Sequence, residues 1–305
     1  VTAVRFPCAI VAVVLAYVLT PALSEAAENP SYIAYSQGRY LTALKLAEQE
    51  AEKGSREAYT LIGEIYSGGF GVAQDFNKAA DAYAKASDLG DPNAQLSLGL
   101  LVTQGLGVKK DLRIAADLFE RSANTGNAAA QYNLALIYLD GKGRGADEAK
   151  AAEWMQKAAA GGNAQAQYDL GGLYQFGRGV PLDKAKAAEW TKRAADAGLA
   201  AAQVEYGVML FKGQGVSADQ AGAAKLFLLA AEQGNPVGQN RLARLYANGV
   251  GVEADPVEAA KWHLLARSAG VSDFSLDIVL SKLTPEQRAK AEKAAADWLN
   301  QGLGG

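Results

Sequence analysis

One period governs this chain. At an offset of 36 residues, Gly54, Gly90, Gly126, Gly162, Gly198, Gly234 and Gly270 fall in one column and Gln95, Gln131, Gln167, Gln203 and Gln239 in another. Further columns hold Gly69, Gly105, Gly141, Gly177, Gly213 and Gly249, then Asp75, Asp111, Asp147, Asp183, Asp219 and Asp255, and no insertion breaks the register. A fixed period of this size marks stacked units, each too small to bury its own apolar face and each completed by its neighbours.

Within the period the pattern reads helix, glycine loop, helix. In the third unit Ala130, Gln131, Leu134, Ala135 and Tyr138 share one face at helical spacing, Asp140 to Arg144 form the loop, and Ala151, Ala152, Met155, Ala158 and Ala159 share a face of the second helix. The Asp column stands where a side-chain oxygen accepts from the free N–H groups opening each second helix; Asp255, Pro256 and Glu258 add a first-turn proline and a capping-box acid. Asp91, Asn127, Asn163 and Asn235 serve the first helices in the same way, and Leu199 leaves one of them without a side-chain cap. The column from Gly54 to Gly270 suits a left-handed residue closing each second helix. Small residues at Gly63, Gly99, Ala135, Gly171, Gly207 and Ala243 let paired helices approach closely.

The fold class predicted is therefore all-α, a solenoid of antiparallel helix pairs: six units over 55–271, a degenerate half unit over 25–54, and capping helices over 272–305. In the last segment Ser272 or Asp273 caps one helix; Thr284, Pro285 and Gln287 open another, which carries Ala291, Ala294, Trp298 and Leu299 on one stripe. Residues 1–24 read as an export signal, with Arg5 before 14 uncharged residues, Phe6 to Leu19, and small residues at Ala22 and Ser24 ahead of a cut before Glu25, a cut after Ala26 being the alternative. That run is short for a membrane span, which needs about 20 apolar residues; the alternatives are a buried N-terminal helix or an uncleaved anchor, the latter being the one predicted route to membrane association. The predicted location is the bacterial periplasm.

Composition excludes several chemistries. A net charge of −3 offers no basic footprint for nucleic acid. Cys8 and His263 are single, so neither a disulfide nor a histidine or cysteine metal site can be assembled within the chain. The repeated Gly-x-Gly follows no strand and precedes no Lys-Ser or Lys-Thr, so it reads as turns rather than a phosphate loop. Carboxylates one repeat apart are too distant to share an ion, and each already has a capping task. No nucleophile motif occurs. His263 aligns with Phe119, Met155, Thr191 and Phe227, an ordinary packing slot, and the column of Trp154, Trp190 and Trp262 reads as packing between repeats. No enzyme, cofactor or metal is predicted.

The run Ala166, Leu170, Gly171, Tyr174, Gly177, Gly179, Val180, Asp183, Ala187, Ala194, Ala195 and Gly198 resembles the unit of the Sel-one-like repeat (SLR) family, a branch of the tetratricopeptide superfamily. The resemblance covers about 58–271. It implies a right-handed superhelix of helix pairs and a protein-binding scaffold, with bacterial relatives often exported and active in envelope signalling or host contact. One cysteine-rich branch is linked to penicillin binding; this chain lacks those cysteines, and that activity is not implied for it.

Positions that the repeats do not hold constant carry the functional prediction. Three rows lie off the structural face of the first helices: Thr60, Leu96, Tyr132, Tyr168, Val204, Asn240; Glu64, Leu100, Leu136, Gly172, Val208, Arg244; and Ser67, Thr103, Leu139, Gln175, Phe211, Ala247. They predict a concave groove with an apolar, aromatic middle, Glu57 and Glu64 at one end and Arg241 and Arg244 at the other, suited to a peptide or helix of another protein. The competing reading is that these side chains pack against neighbouring first helices. A different class, a peptidoglycan-binding or peptidoglycan-modifying envelope protein, has no motif behind it. One departure stands out: the loop valine of Val72, Val108, Val180, Val216 and Val252 becomes Arg144, predicting a loop that turns its charge outward or, alternatively, a carboxylate supplied by a partner.

Overall fold

The computed structural model describes residues 29–302, and the export-signal segment lies outside them. Among the described residues there are sixteen helices and no strand. They divide between two compact units that meet in sequence at Ala146 and Asp147.

The first unit opens with α1 (Pro30–Ser36) and α2 (Tyr40–Ala51). Asn29 caps α1 by accepting from the Ser31 N–H. Next come the hairpin α3 (Arg56–Gly68) with α4 (Phe76–Asp88), then α5 (Pro92–Gln104) with α6 (Leu112–Ala123), and α7 (Ala128–Asp140). Each helix packs on the next in sequence, and α3 also touches α5. Why the hairpins close so tightly is plain at Gly99, where a Cβ would stand 2.6 Å from the Phe119 ring of α6. The absent side chain leaves room for that ring, which is 2% exposed.

The second unit holds α8 (Glu148–Ala160), α9 (Ala164–Phe176), α10 (Lys184–Asp196), α11 (Ala200–Lys212), α12 (Gln220–Glu232), α13 (Pro236–Asn248) and α14 (Pro256–Ser268), followed by α15 (Phe274–Ser281) and α16 (Pro285–Gly302). One of its apolar clusters joins Phe227, Leu242, Leu245, Trp262 and Leu265 to Leu276 of α15 and Ala295 of α16. His263 is wholly buried, with Nε2 2.8 Å from Asp277, and so ties α14 to α15.

The capping columns behave as predicted. Every Asp from Asp75 to Asp255 accepts from one or two N–H groups of its second helix. Ser55, Asp91, Asn127, Asn163 and Asn235 cap first helices, while α11 has no side-chain cap at Leu199. The Gln column has a task too: Gln95, Gln131, Gln167, Gln203 and Gln239 each donate Nε2–H to a carbonyl eight residues earlier, at 3.1 to 3.4 Å, in the last turns of the preceding helix. Each of those carbonyls also accepts from the N–H of the column glycine just past its helix, at 3.0 or 3.1 Å, and the glutamine amide adds a second donor.

The Trp column corrects the expectation in part. Trp262 is buried and meets Trp298 edge-on at 6.4 Å. Trp154 and Trp190 are half-buried and carry Lys157 and Arg193, three residues on, over their rings at 4.0 and 4.3 Å.

Arg144 is the larger correction. Its loop is not everted: Gly143 keeps a positive φ of 87°, and a Cβ there would strike the carbonyl of Leu112, just as one at Gly107 would strike that of Phe76. The guanidinium lies inward at 24% exposure, donating to Asp117 and Glu120 of α6 at 2.7 Å each and to the Tyr138 hydroxyl at 3.1 Å. The charge is met within the unit, so no partner is needed to neutralise it. The hydrogen bond to Glu120 leads the forces that raise its pKa above the ordinary arginine value. Because both carboxylates are substantially exposed, Arg144→Ala is expected to cost only about 1 kcal/mol, read as a shift in the urea midpoint that largely disappears in high salt.

Candidate protein-interaction surface

The frame of each first helix is apolar and invariant in type, as in α7, where Leu134, Ala135 and Tyr138 point inward. What remains for a ligand is the stripe rotated away from that frame. In the first unit it carries Glu57, Thr60, Glu64 and Ser67 on α3, Leu96, Leu100 and Thr103 on α5, and Tyr132, Leu136 and Leu139 on α7. In the second it carries Tyr168, Gly172 and Gln175 on α9, Val204, Val208 and Phe211 on α11, and Asn240, Arg244 and Ala247 on α13.

Three members of the first row, predicted to line the groove, are committed to structure instead. Thr60 is buried and its hydroxyl donates to Asp91 Oδ2 at 3.0 Å; Asn240 is buried and donates to Asp273 Oδ2 at 2.9 Å. Leu96, read as a groove residue, is 5% exposed and offers almost nothing to a partner. For Thr60 and Asn240 the reason is that each reaches the aspartate opening a helix two elements on, Asp91 before α5 and Asp273 before α15.

The second row stays accessible, while in the third Ser67 and Thr103 are buried at 4% and 5% exposure and the others are not. Leu100, Leu136, Val204 and Val208 are half-buried, as are Tyr132 and Tyr168 of the first row, and Phe211 is 36% exposed. Val204 and Val208 also lean on the apolar cluster of the second unit, so part of each is structural. A shallow apolar cleft in the first unit is lined by Thr103, Phe119, Leu136 and Ile137, with Asp140 and Lys142 beside it and 3.6 Å apart.

The charged ends differ from expectation. Arg244 is not a free cation: its Nε donates to Asp273 Oδ2 at 2.6 Å. Burial works against the Asp273 carboxylate, yet the hydrogen bonds from Arg244 and Asn240 outweigh it and hold its pKa below the ordinary carboxylate value. Arg241 is exposed and forms no ion pair among the described residues. At the other end Glu57 binds Arg56 at 2.8 Å, whereas Glu64 is half-buried and has neither a hydrogen bond nor an ion pair among the described residues. Burial, and then the charge of Asp91, push the Glu64 carboxyl up to about 7.

Among the described residues no group of three or more His, Cys, Asp or Glu side chains is placed to hold a metal ion, and no helix is long and apolar enough to cross a membrane. The surface offers apolar and aromatic contact with isolated charges, the chemistry of recognising another protein.

Comparison with known proteins agrees with this geometry. A family model described as the Sel1 repeat matches six consecutive segments, 56–91, 92–127, 128–163, 164–199, 200–235 and 236–271. Among solved structures, a Sel1 repeat protein from Oxalobacter formigenes is similar at a TM-score of 0.69 with 26% identity, over 80% of this chain and 97% of that one. A protective antigen of uropathogenic Escherichia coli displaying an SLR fold is similar at a TM-score of 0.54 with 29% identity, over 90% of this chain and 70% of that one. No match is found among curated proteins.

Proposed function

The chain belongs to the Sel1 repeat family, whose members generally act as protein-interaction scaffolds, and we propose that its first-helix faces bind an extended or helical segment of another protein. The observation that carries the reading is a contrast between the two faces of the first helices: the frame repeats, while Leu100, Leu136, Tyr132, Tyr168, Val204, Val208 and Phe211 vary and keep apolar surface within reach of solvent. Apolar and aromatic side chains in partly desolvated recesses are the residue types that carry most of the energy at protein interfaces. No residue set on this face supports a catalytic step, and the role proposed is non-enzymatic.

A photo-crosslinking residue at Leu100 or Val208 is expected to capture one discrete partner in cells, while the same residue at exposed Asp88 or Glu232, at the ends of second helices, captures none. Capture from the second-helix ends alone would overturn the assignment. The double variant Tyr132→Ala and Tyr168→Ala is expected to weaken that capture at least tenfold with helicity by circular dichroism unchanged, since each aromatic anchor contributes about 1 kcal/mol or more.

We further propose that the protein is exported and serves an envelope component, on the strength of the uncharged run from Phe6 to Leu19 behind Arg5. N-terminal sequencing of the protein from the periplasmic fraction should begin at Glu25; recovery of the intact chain from the cytoplasm would sink this part.

A further inference from the structure

Glu64 is a half-buried charged group of the first unit with neither a hydrogen bond nor an ion pair among the described residues. Around it every other polar side chain of the stripe is engaged: Thr60 donates to Asp91, Ser67 lies 3.2 Å from the Tyr83 hydroxyl, and Tyr32 donates to the Glu57 carbonyl at 3.4 Å. Asp91 spends its other oxygen on the N–H groups of Asn93 and Ala94. Arg56, the sole cation of α3, is taken by Glu57. Tyr32 and Tyr35 of α1 pack against the cluster containing Leu61 and Ile65, on either side of Glu64 in α3. The Glu64 charge acts on both of these phenols and on Tyr83, helping to raise all three pKa values after burial.

A half-buried carboxylate without a donor or a cation is costly, and replacing it with a neutral group would remove the cost. Aromatic rings beside a carboxylate form the surroundings in which a desolvated ammonium or guanidinium is held by both an ion pair and ring faces. We propose that Glu64, flanked by Tyr32 and Tyr35, is the seat for one lysine or arginine side chain of the bound protein segment. The inference rests on the first-helix faces being the binding surface and adds to it the charge of the residue recognised at this end.

The test uses the full chain and peptides selected from a random display library for binding to it. Selected peptides are expected to share a Lys or Arg whose replacement by norleucine weakens binding at least tenfold, with Glu64→Gln weakening the parent peptide equally and leaving the norleucine peptide unaffected. In the complex the Glu64 carboxyl carbon, followed by NMR, should titrate at least two pH units lower than in the free protein. Peptides that bind the face, by crosslinking at Leu100, but share no basic residue, or bind Glu64→Gln as well as the parent, would overturn the Glu64 seat and leave the scaffold reading standing. Selection of no peptide that crosslinks at Leu100 or Val208 would overturn both. Unchanged circular dichroism of the isosteric glutamine variant keeps a folding defect from mimicking the first result.

Discussion

Gly179→Ala is expected to destabilise the second unit by about 3 to 5 kcal/mol, while Gly162→Ala, also at a left-handed residue, costs about 1 kcal/mol. Both residues have positive φ, +67° and +85°, so both substitutions carry the strain of a Cβ in that region. They differ in what the Cβ meets. At Gly162 nothing lies within 4 Å, whereas at Gly179 the new atom is driven into the carbonyl of Glu148, the first residue of α8. That carbonyl belongs to helix backbone and cannot swing aside as a side-chain tip would. Gly107, Gly215 and Gly251 stand in the same relation to Phe76, Lys184 and Gln220, so the loop glycine is a contact between consecutive repeats as well as a turn. Urea denaturation of the two variants measures the difference; equal losses would show that backbone strain alone governs the loop.

Glu64→Gln is expected to stabilise the free protein at pH 8 by about 2 to 3 kcal/mol and to leave it nearly unchanged at pH 4. The sign follows from the proton. With its carboxyl raised to about 7 by burial and by Asp91, folded Glu64 keeps a proton that the unfolded chain releases near its ordinary carboxylate value. Stability from this group is therefore complete below that ordinary value, falls as pH rises towards 7, and stays reduced above it. Glutamine does not titrate, so the gap between variant and parent opens across that window. Urea midpoints at the two pH values, read on the Tyr signal of the first hairpin, would refute the assignment if the gap were independent of pH. A site that weakens its own fold until occupied is a familiar compromise between stability and binding.

Much of this was legible because a repeat presents the same local problem many times. The caps at Asp75 through Asp255, the uncapped Leu199 and the close approach at Gly99 are all short-range consequences of residue type, and all are present in the structure. The missed interactions cross from one element to another. Arg144 finds Asp117 and Glu120, 27 and 24 residues back, because the loop of one repeat lies over the second helix of the one before it. Periodicity showed that Val had become Arg but not which carboxylates lay opposite. Arg244 seemed free because its partner, Asp273, stands two residues out of register with the capping column, whose next member is Val271. Leu96 was misplaced for a simpler reason: rotation about one helix identifies the stripe but not how much of it the next helix covers.

The glutamine clasp has a consequence for how such a chain changes over generations. Each clasp joins a first helix to the helix just before it, always eight residues back, and refers to nothing further away. Duplicating or excising one whole 36-residue segment at a matching point therefore recreates the same junction at the splice, with donor and carbonyl in place. Array length is thus a quantity that recombination can adjust without inventing a new joint, and the reach of the molecule can be selected separately from the chemistry displayed along it.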